Sequence, residues 1–137
     1  MLIEFQSDCV TGTRIRREKR FIVHFRNENG CELIAHTNNS GSMLGLTRPG
    51  SALLLSPAPG ANRKLPYTLE LVRDGVTWVG VNTMTPNRLL RAAFERGMLP
   101  WAAGYACFRA EAKRGTSRID ALLTGAGLPP LWVECKN

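Results

Sequence analysis

Three ionisable side chains near the end of the chain have the types and spacing that metal-assisted phosphate chemistry needs. Glu134 and Lys136 stand two residues apart in one strand-like stretch, and Asp120 belongs to the preceding one. Successive side chains of a strand point to opposite faces, so Glu134 and Lys136 share a face that Asp120 can join from a neighbouring strand. Two carboxylates suit a hard cation such as Mg²⁺, and a lysine beside them can activate water or stabilise phosphate charge. Asp120, Glu134 and Lys136 are therefore the minimum set of groups for metal-assisted phosphodiester hydrolysis.

The same pattern has an ordinary explanation, which is a solvated polar face. An Asp, a short turn and Glu-x-Lys occur by chance in many β-hairpins, and the spacing alone favours this explanation. The choice between the two depends on the rest of the chain.

Length and composition indicate a globular protein of one domain or two small ones. The chain has 137 residues, of which 44% are hydrophobic and 21% are charged, a balance that argues against disorder. No apolar run is long enough to span a bilayer, and Met1–Phe5 carries an early acid without the basic and apolar regions of a signal peptide. The expected location is therefore cytoplasmic, with no membrane partner.

The cysteines give no sign of a zinc or dithiol site. They are Cys9, Cys31, Cys107 and Cys135, which stand far apart and form no Cys-x-x-Cys pair. Because no secretion signal is recognised, reduced and mostly buried thiols are expected.

The positive charge of the chain points to a polyanion, and nucleic acid is the commonest such partner. The net charge is +7 and the pI is near 9.8, and much of this charge falls in two short stretches. The first stretch contains Arg14, Arg16, Arg17, Lys19 and Arg20, and the second contains Arg109, Lys113, Arg114 and Arg118. Because basic surfaces also aid solubility, a basic interaction module without a nucleic-acid role stays open.

The first part of the chain reads as short strands joined by closely spaced turns. Phe21, Val23 and Phe25 alternate onto one face of a strand. The predicted strands are Arg20–Phe25, Glu32–Thr37, Ser51–Leu55, Tyr67–Arg73 and Val76–Val81. The polar loop 38–42 either presents backbone N–H groups to an anion or is a plain connection with Gly41 at positive φ. These elements favour a small OB-like barrel of about five strands.

The pattern changes near Asn82–Thr85, where a helix is predicted. Thr85 can cap this helix, Asn87–Arg96 carries apolar residues at helical spacing, and Gly97 ends it. Three strands follow, over Tyr105–Lys113, Arg118–Leu123 and Leu131–Lys136. A barrel followed by a helix and a three-stranded sheet is an α+β fold.

Sequence blocks that run in order along almost the whole chain resemble one family, the sugar fermentation stimulation protein A (SfsA) family. The blocks are Lys19-Arg20-Phe21, His36-Thr37-Asn38-Asn39-Ser40-Gly41, Arg63-Lys64-Leu65-Pro66-Tyr67-Thr68, Val81-Asn82-Thr83, Pro86-Asn87-Arg88-Leu89, Gly104-Tyr105, Glu111-Ala112-Lys113, Gly115, Ser117-Arg118-Ile119-Asp120 and Val133-Glu134-Cys135-Lys136-Asn137. The family usually has Asn-Thr-Gly in place of Asn39-Ser40-Gly41 and Glu-Val-Lys in place of Glu134-Cys135-Lys136. Its members also continue past the Glu-x-Lys strand through a further helix and strand, so the chain resembles a member truncated at its C-terminus.

The resemblance implies two domains and a bacterial or archaeal protein. Residues 1–83 would form an OB-fold-like nucleic-acid-binding domain. Residues 84–137 would form a partial PD-(D/E)XK nuclease-like domain, made of the helix and the three-stranded sheet.

The resemblance also assigns roles to Asp120, Glu134, Glu111 and Lys136, which we call the acidic cluster. Asp120 and Glu134 would be ligands of Mg²⁺ or Mn²⁺, with Glu111 as a further acidic ligand. Lys136 would be the catalytic lysine of a metal-dependent nuclease. Members of the family are also described as DNA-binding proteins linked to sugar (maltose) utilisation genes. A non-catalytic DNA-binding regulator is therefore the alternative to the nuclease.

Two partners are predicted, nucleic acid and a second copy of the chain. The residues expected to contact nucleic acid, which the resemblance indicates to be DNA, come from the basic stretches and the family blocks. They are Arg14, Arg16, Arg17, Lys19, Arg20, Asn39, Ser40, Arg63, Lys64, Arg114 and Arg118. The last predicted strand would leave a sheet edge uncovered, which favours a homo-oligomer formed by pairing of that edge.

Overall fold

The computed structural model describes residues 3–60 and 63–136. The chain folds into two compact units, one over Phe5–Thr83 and the other from Met84 onward, which also includes Ile3 and Glu4. This division falls where the sequence changes from strand to helix patterns. That each unit is an independent domain, over 1–83 and 84–137, stays a prediction. Within the described ranges, no helix has the length and apolar character needed to cross a membrane.

The first unit is a closed barrel of five strands with one added strand. The strands are β1 (Val10–Glu18), β2 (Ile22–Asn27), β3 (Glu32–His36), β4 (Ala52–Pro57), β5 (Tyr67–Asp74) and β6 (Thr77–Gly80). The barrel closes in the order β1-β2-β3-β5-β4-β1, in which only the β3–β5 pairing is parallel, and β6 extends the sheet beyond β5. This closed five-stranded barrel confirms the OB-like architecture predicted from the sequence.

The barrel interior is filled by alternate residues of its strands. Val23, Phe25 and Leu53 are fully buried, and the ring of Phe25 meets that of Tyr67 edge to face, with 5.6 Å between centroids. Gly12 on β1 lies beneath Phe25, and a Cβ atom at this position would stand 2.4 Å from the Phe25 ring. The barrel therefore needs a glycine at this point for the aromatic ring to pack.

Two features of the barrel differ from the predictions. Strand β1 was not predicted, because six of its nine residues are Thr, Arg or Glu and the stretch reads as a basic segment. Phe21 was expected on the inner face with Val23 and Phe25, but β2 begins at Ile22, and Phe21 belongs to the preceding turn with 45% of its surface exposed. The alternation of side chains holds only within the strand, so it does not extend to the turn residue.

The second unit contains one described α-helix and a three-stranded antiparallel meander. The elements are α1 (Thr85–Glu95), a 3₁₀ turn (Pro100–Ala102), β7 (Cys107–Arg114), β8 (Ser117–Thr124) and β9 (Leu131–Val133). The strand order is β7-β8-β9. Together with the barrel, these elements confirm the mixed α+β fold. Strand β9 was predicted to reach Lys136, but it ends at Val133. Pairing of its other edge with a second copy stays a prediction.

The ends of α1 follow different rules. Gly97 adopts φ +65° and donates to Phe94 O, while Met98 N–H donates to Ala93 O, which is the glycine-terminated helix end that was predicted. The predicted cap at Thr85 is wrong by one position, because Met84 is the N-cap and Thr85 is the first helical residue. The N-cap makes no side-chain hydrogen bond, and Pro86 in the first turn has no N–H that would need one.

Candidate nucleic-acid interface and acidic site

Three connections meet at one end of the barrel. The strand ends on this side are joined by the ladder pairs Glu18↔Ile22, Ile22↔His36, His36↔Thr68, Ser56↔Thr68 and Pro57↔Tyr67. The β1–β2 turn, the loop after β3 and the β4–β5 connection therefore leave from the same end of the barrel. Exposed cations lie on two of them, with Lys19 and Arg20 on the first and Arg63 and Lys64 on the last. We call these three connections and their cations the loop face.

Arg17 ties two connections of the loop face together. Its guanidinium donates to the backbone oxygens of Arg20, at 2.7 Å, Gly41, at 2.9 Å, and Asn39, at 2.6 Å. Burial, and then the nearby charge of Arg20, lower the pKa of the Arg17 side chain. Each of its three nitrogens donates one of these bonds, which leaves one N–H on each Nη atom, and a contact of Arg17 with nucleic acid stays a prediction. The structure makes it a positioning residue for the β1–β2 turn and the loop after β3.

The loop 38–42 uses its own polar groups to hold its shape. The backbone N–H of Asn39 donates to Thr37 Oγ1 at 3.3 Å, and that of Gly41 donates to Asn39 Oδ1 at 3.1 Å. These two N–H groups are therefore already used within the loop. Gly41 does not have the positive φ of the alternative in which the loop is a plain connection. A nucleic-acid contact by Asn39 or by the exposed Ser40 stays a prediction.

The turn between β1 and β2 holds two strained residues. Lys19 has φ +49° and Arg20 has φ +64°. Such angles cost non-glycine residues about 1–3 kcal/mol each, and hairpin turns that require them usually contain Asn, Asp or Gly. The Arg17 bond to Arg20 O and the bond from Thr37 N–H to Phe21 O, at 2.9 Å, hold this conformation.

Arg14 is not part of the basic surface to which the sequence assigned it. Arg14 is buried, with 2% of its surface exposed, and its Nη1 atom donates a hydrogen bond to Leu46 O at 3.0 Å. Nε and Nη2 have no hydrogen-bond partner among the described residues. Burial, and then the charge of Arg17, lower the pKa of the Arg14 guanidinium. A side chain enclosed in this way cannot reach a phosphate.

Arg14→Met should leave nucleic-acid affinity unchanged and raise the free energy of unfolding, or at least not lower it. Replacement of buried charged groups by apolar residues of similar volume is often neutral or stabilising by about 1–4 kcal/mol, and two guanidinium nitrogens of Arg14 lack partners among the described residues. Urea unfolding and fluorescence anisotropy with labelled DNA measure the two effects. A loss of affinity in a variant with unchanged stability would show that Arg14 does reach the ligand.

The other predicted basic contacts are exposed and interact with neighbours. Arg16 pairs with Glu32 at 3.2 Å. In the second unit, the Arg114 guanidinium lies 5.4 Å from the centroid of the Trp132 ring. Arg118 pairs with Glu111 at 3.6 Å. Exposed ion pairs of this kind are weak, so these side chains can exchange partners when a phosphate approaches.

Asp120 lies on β8 with both carboxylate oxygens bound. Oδ1 accepts from the side-chain amide of Asn87 on α1 at 3.0 Å, and Oδ2 accepts from the backbone N–H of Cys135 at 2.7 Å. Each oxygen has a second lone pair that these bonds leave for another donor or a cation. Asn87 therefore orients Asp120. In the sequence, Asn87 was marked only by its presence in one of the family blocks.

Glu111 lies opposite Asp120 on the neighbouring strand. The ladder pairs Ala110↔Ala121 and Ala112↔Ile119 flank this position. Glu111 has φ +50°, an unusual angle within a strand. Glu111 and Asp120 line one cavity of about 260 Å³. The other residues that line the cavity are Met84, Asn87, Arg88, Leu90, Arg91, Phe108 and Ala110.

Glu134 and Lys136 follow the last described strand. Ala121↔Val133 is the last ladder pair of β9, so Glu134 comes directly after the paired residues. Lys136 Nζ lies 3.1 Å from Glu134 Oε1, so the two side chains are on the same side of the segment. Their side chains are 82% exposed for Lys136 and 46% for Glu134. This arrangement leaves the lysine accessible to a ligand.

The negative charges of the acidic cluster affect the thiol of Cys135. Burial raises the pKa of its thiol, and the carboxylates of Asp120 and Glu134 raise it further. The cysteines in the structure are all free, but they are not mostly buried as expected. Cys31 and Cys107 are exposed, whereas Cys9 and Cys135 are half-buried.

The acidic cluster is open in this structure. Among residues 3–60 and 63–136, no group of three or more His, Cys, Asp or Glu side chains is arranged to hold a metal ion. The roles of Asp120, Glu134, Lys136 and Glu111 as a metal and catalytic site stay predictions. The oriented carboxylate of Asp120, an acid opposite it and a nearby lysine are nevertheless the groups that such a site would use.

Comparisons with known proteins match both units. Residues 15–81 match the family model for the SfsA N-terminal OB domain, and residues 84–137 match that for the sugar fermentation stimulation protein RE domain. The chain is 53% identical to a sugar fermentation stimulation protein homolog of Syntrophobacter fumaroxidans, over 99% of this chain and 51% of that protein. It is 44% identical to a homolog of Lawsonia intracellularis, over 99% of this chain and 62% of that protein.

A solved structure shows the same fold. It is that of Pyrococcus furiosus SfsA in complex with Ca²⁺, with a TM-score of 0.84 and 24% identity, over 99% of this chain and 57% of that one. The chain thus spans about half to three-fifths of the length of these proteins. The resemblance seen in the sequence blocks is confirmed, and the chain belongs to the sugar fermentation stimulation protein (SfsA) family.

Proposed function

We propose that the barrel unit binds nucleic acid, and DNA in particular, through the loop face. OB folds bind oligonucleotides with one face of the barrel and with the connections between strands 1 and 2 and strands 4 and 5. The observation that carries the proposal is the position of the cations. Lys19 and Arg20 lie on the first of these connections, and Arg63 and Lys64 lie on the second. All four side chains are exposed, so they can contact phosphates.

The electrostatics of the loop face suit this role. Each phosphate that a Lys or Arg neutralises releases condensed counterions, so such contacts supply affinity without sequence preference. Arg17 fixes the turn that carries Lys19 and Arg20, and a fixed turn reduces the ordering cost of binding. The net charge of +7 adds long-range attraction to the polyanion.

We further propose that the second unit carries a metal-dependent phosphodiesterase site. Glu111 supports this proposal, because it has a strained backbone and lines the same cavity as Asp120. Backbone strain of this kind is often found at functional sites. Carboxylate oxygens are ligands that Mg²⁺, Mn²⁺ and Ca²⁺ all prefer, and Mg²⁺ often uses one or two of them with phosphate and water. Asp120 and Glu134, with Glu111, would therefore hold Mg²⁺ or Mn²⁺. The SfsA of Pyrococcus furiosus was solved with Ca²⁺, a cation with the same ligand preference.

The residues of the cluster would divide the chemistry between them. A bound cation would polarise the phosphate and lower the pKa of an attacking water. Asn87 holds Asp120 in one orientation through its amide. Lys136, on the same side as Glu134, would orient the attacking water or stabilise charge on the phosphate. Water would add to phosphorus and lose a proton, the bond to one ester oxygen would break, and that oxygen would take up a proton, so that the net change is the addition of one water.

A second candidate is a DNA-binding regulator of sugar-utilisation genes without catalysis. It is favoured by the lack of an assembled three-ligand group among the described residues. In such a protein the acidic cluster would be a structural remnant, and the loop face would carry the whole function.

A metal titration separates these functions. The chain, and a form extended to the length of its relatives, are incubated with a mixture of single-stranded and duplex DNA in EDTA, Mg²⁺ or Mn²⁺. Gel shifts measure binding, and denaturing gels measure cleavage. Binding in EDTA supports the role of the loop face, and cleavage that requires metal supports the phosphodiesterase. If the extended form binds DNA and cleaves it with neither metal, the regulator is the correct function. An absence of binding by both forms refutes the proposal for the loop face.

A further inference from the structure

We infer that Phe21 is a stacking platform for an unpaired nucleobase, and that the barrel therefore prefers single-stranded to duplex nucleic acid. This inference rests on the proposed nucleic-acid function of the loop face and adds the strandedness of its ligand. It is carried by the exposure of Phe21, by the strained turn residues before it and by the cations next to it in the chain and on another connection of the loop face.

The ring of Phe21 contributes little to the packed interior. Phe21 is 45% exposed, although the aromatic residue four positions later, Phe25, is fully buried. An aromatic side chain left at the surface forgoes much of the gain from burial. Its backbone oxygen accepts from Thr37 N–H at 2.9 Å, so the main chain is held while the ring meets solvent. The folded barrel thus gives limited reason for an aromatic residue at this position.

The turn that presents the ring keeps an unfavourable backbone. Lys19 and Arg20 both adopt positive φ, although neither is a residue that such turns usually contain. The Arg17 bond to Arg20 O secures this conformation. Retained strain is commonly found at ligand-binding segments. A turn that is already fixed also loses little conformational freedom when a ligand binds.

The chemistry around Phe21 matches a single strand better than a duplex. Proteins that bind single strands combine cations along the backbone with aromatic rings on which bases stack. Lys19 and Arg20 are exposed next to Phe21 in the chain, and Arg63 and Lys64 are exposed on another connection of the loop face. In a duplex the bases already stack on each other, so the ring would meet no free base face and only the cations would contribute.

The chain offers a matched control for Phe21. Trp78 on β6 is 42% exposed, close to the value for Phe21. It pairs with Arg73 near the end of β5 that is remote from Tyr67 and the loop face. Trp78→Ala therefore removes an exposed aromatic ring of the same unit from outside the proposed site.

The test compares binding of a single strand and of its duplex in EDTA, by fluorescence anisotropy. Phe21→Ala and Phe21→Leu should weaken single-strand binding by about 5- to 150-fold, which corresponds to the loss of one stacked base. They should leave duplex binding and the salt slope of either ligand unchanged, because no phosphate contact is removed. Trp78→Ala should alter neither affinity. Phe21→Trp should keep single-strand affinity and add a tryptophan emission that the single strand quenches, relative to the unmodified chain.

Distinct results would overturn the inference or the function beneath it. Single-strand affinities of Phe21→Ala and Phe21→Leu equal to that of the unmodified chain, or an unquenched Phe21→Trp emission, would rule out stacking while leaving nucleic-acid binding in place. An equal loss of duplex affinity would show that Phe21 supports the turn and does not stack. If the unmodified chain binds neither ligand, the proposed function of the loop face fails as well.

Discussion

Replacing Lys19, Arg20, Arg63 and Lys64 together by alanine should lower DNA affinity at low salt and flatten its dependence on salt. Each phosphate contact contributes about −0.9 to the slope of log affinity against log salt on duplex DNA. Four contacts account for a slope of about −3.6, or a loss of about 100-fold between 50 and 200 mM salt. The variant should lack this part of the dependence. Anisotropy titrations at several salt concentrations measure it.

A control variant tests whether position or total charge matters. Arg26, Arg48 and Arg73 are exposed cations of the same barrel. Arg26 is opposite Glu32 in the β2–β3 ladder, at the end of β2 away from the loop face. Arg48 and Arg73 line one depression at the far end of β5. Alanine at these three positions should change the slope by less than about one contact. A reduction per charge equal to that of the loop-face variant would show that binding depends on net charge and not on the loop face.

Asp120→Asn should reduce metal-dependent DNA cleavage by about 100- to 1,000-fold in the form extended to the length of the relatives, a size typical for loss of one electrostatic group of a catalytic site. The amide retains the shape of the side chain but loses the charge that a cation needs. DNA binding should be unchanged or stronger, because a carboxylate that repels phosphate has been neutralised. Cleavage rates in Mg²⁺ and Mn²⁺, with binding in EDTA, give the two readouts.

The matched control for Asp120 is Glu95→Gln. Glu95 is an exposed acid of the same unit and pairs with Arg91 along α1. Its replacement removes the same charge away from the acidic cluster and should leave cleavage unchanged. An Asp120→Asn variant that cleaves at the unmodified rate would exclude Asp120 as a metal ligand, and equal losses in both variants would point to a general effect of charge.

Local patterns were sufficient to predict much of the fold. The glycine end of α1 depends on a positive φ that few other residues adopt, so it can be predicted from the sequence. Strand β1 could not be read in the same way, because pairing on both sides stabilises a segment whose own composition is polar. The burial of Arg14 depends on Leu46, 32 residues away, and no local pattern contains that interaction.

The acidic cluster shows the same limit. That Glu134 can stand opposite Asp120 follows from strand periodicity and the short connection between β8 and β9. The orientation of Asp120 depends on Asn87, 33 residues earlier on a helix, which spacing arguments cannot reach. The positive φ of Glu111 is a property of the folded strand, and glutamate is not a residue from which such an angle would be predicted.

The three bonds of Arg17 have a consequence for engineering of the barrel. The Arg17 side chain bridges the β1–β2 turn and the loop after β3. An insertion in either segment would therefore move a carbonyl oxygen away from the guanidinium. A lysine at this position carries one ammonium and cannot span three fixed oxygens in the manner of the planar fork. None of these three bonds reaches the β4–β5 connection. An insertion among the described residues of that connection would leave the three carbonyl oxygens that Arg17 binds in place.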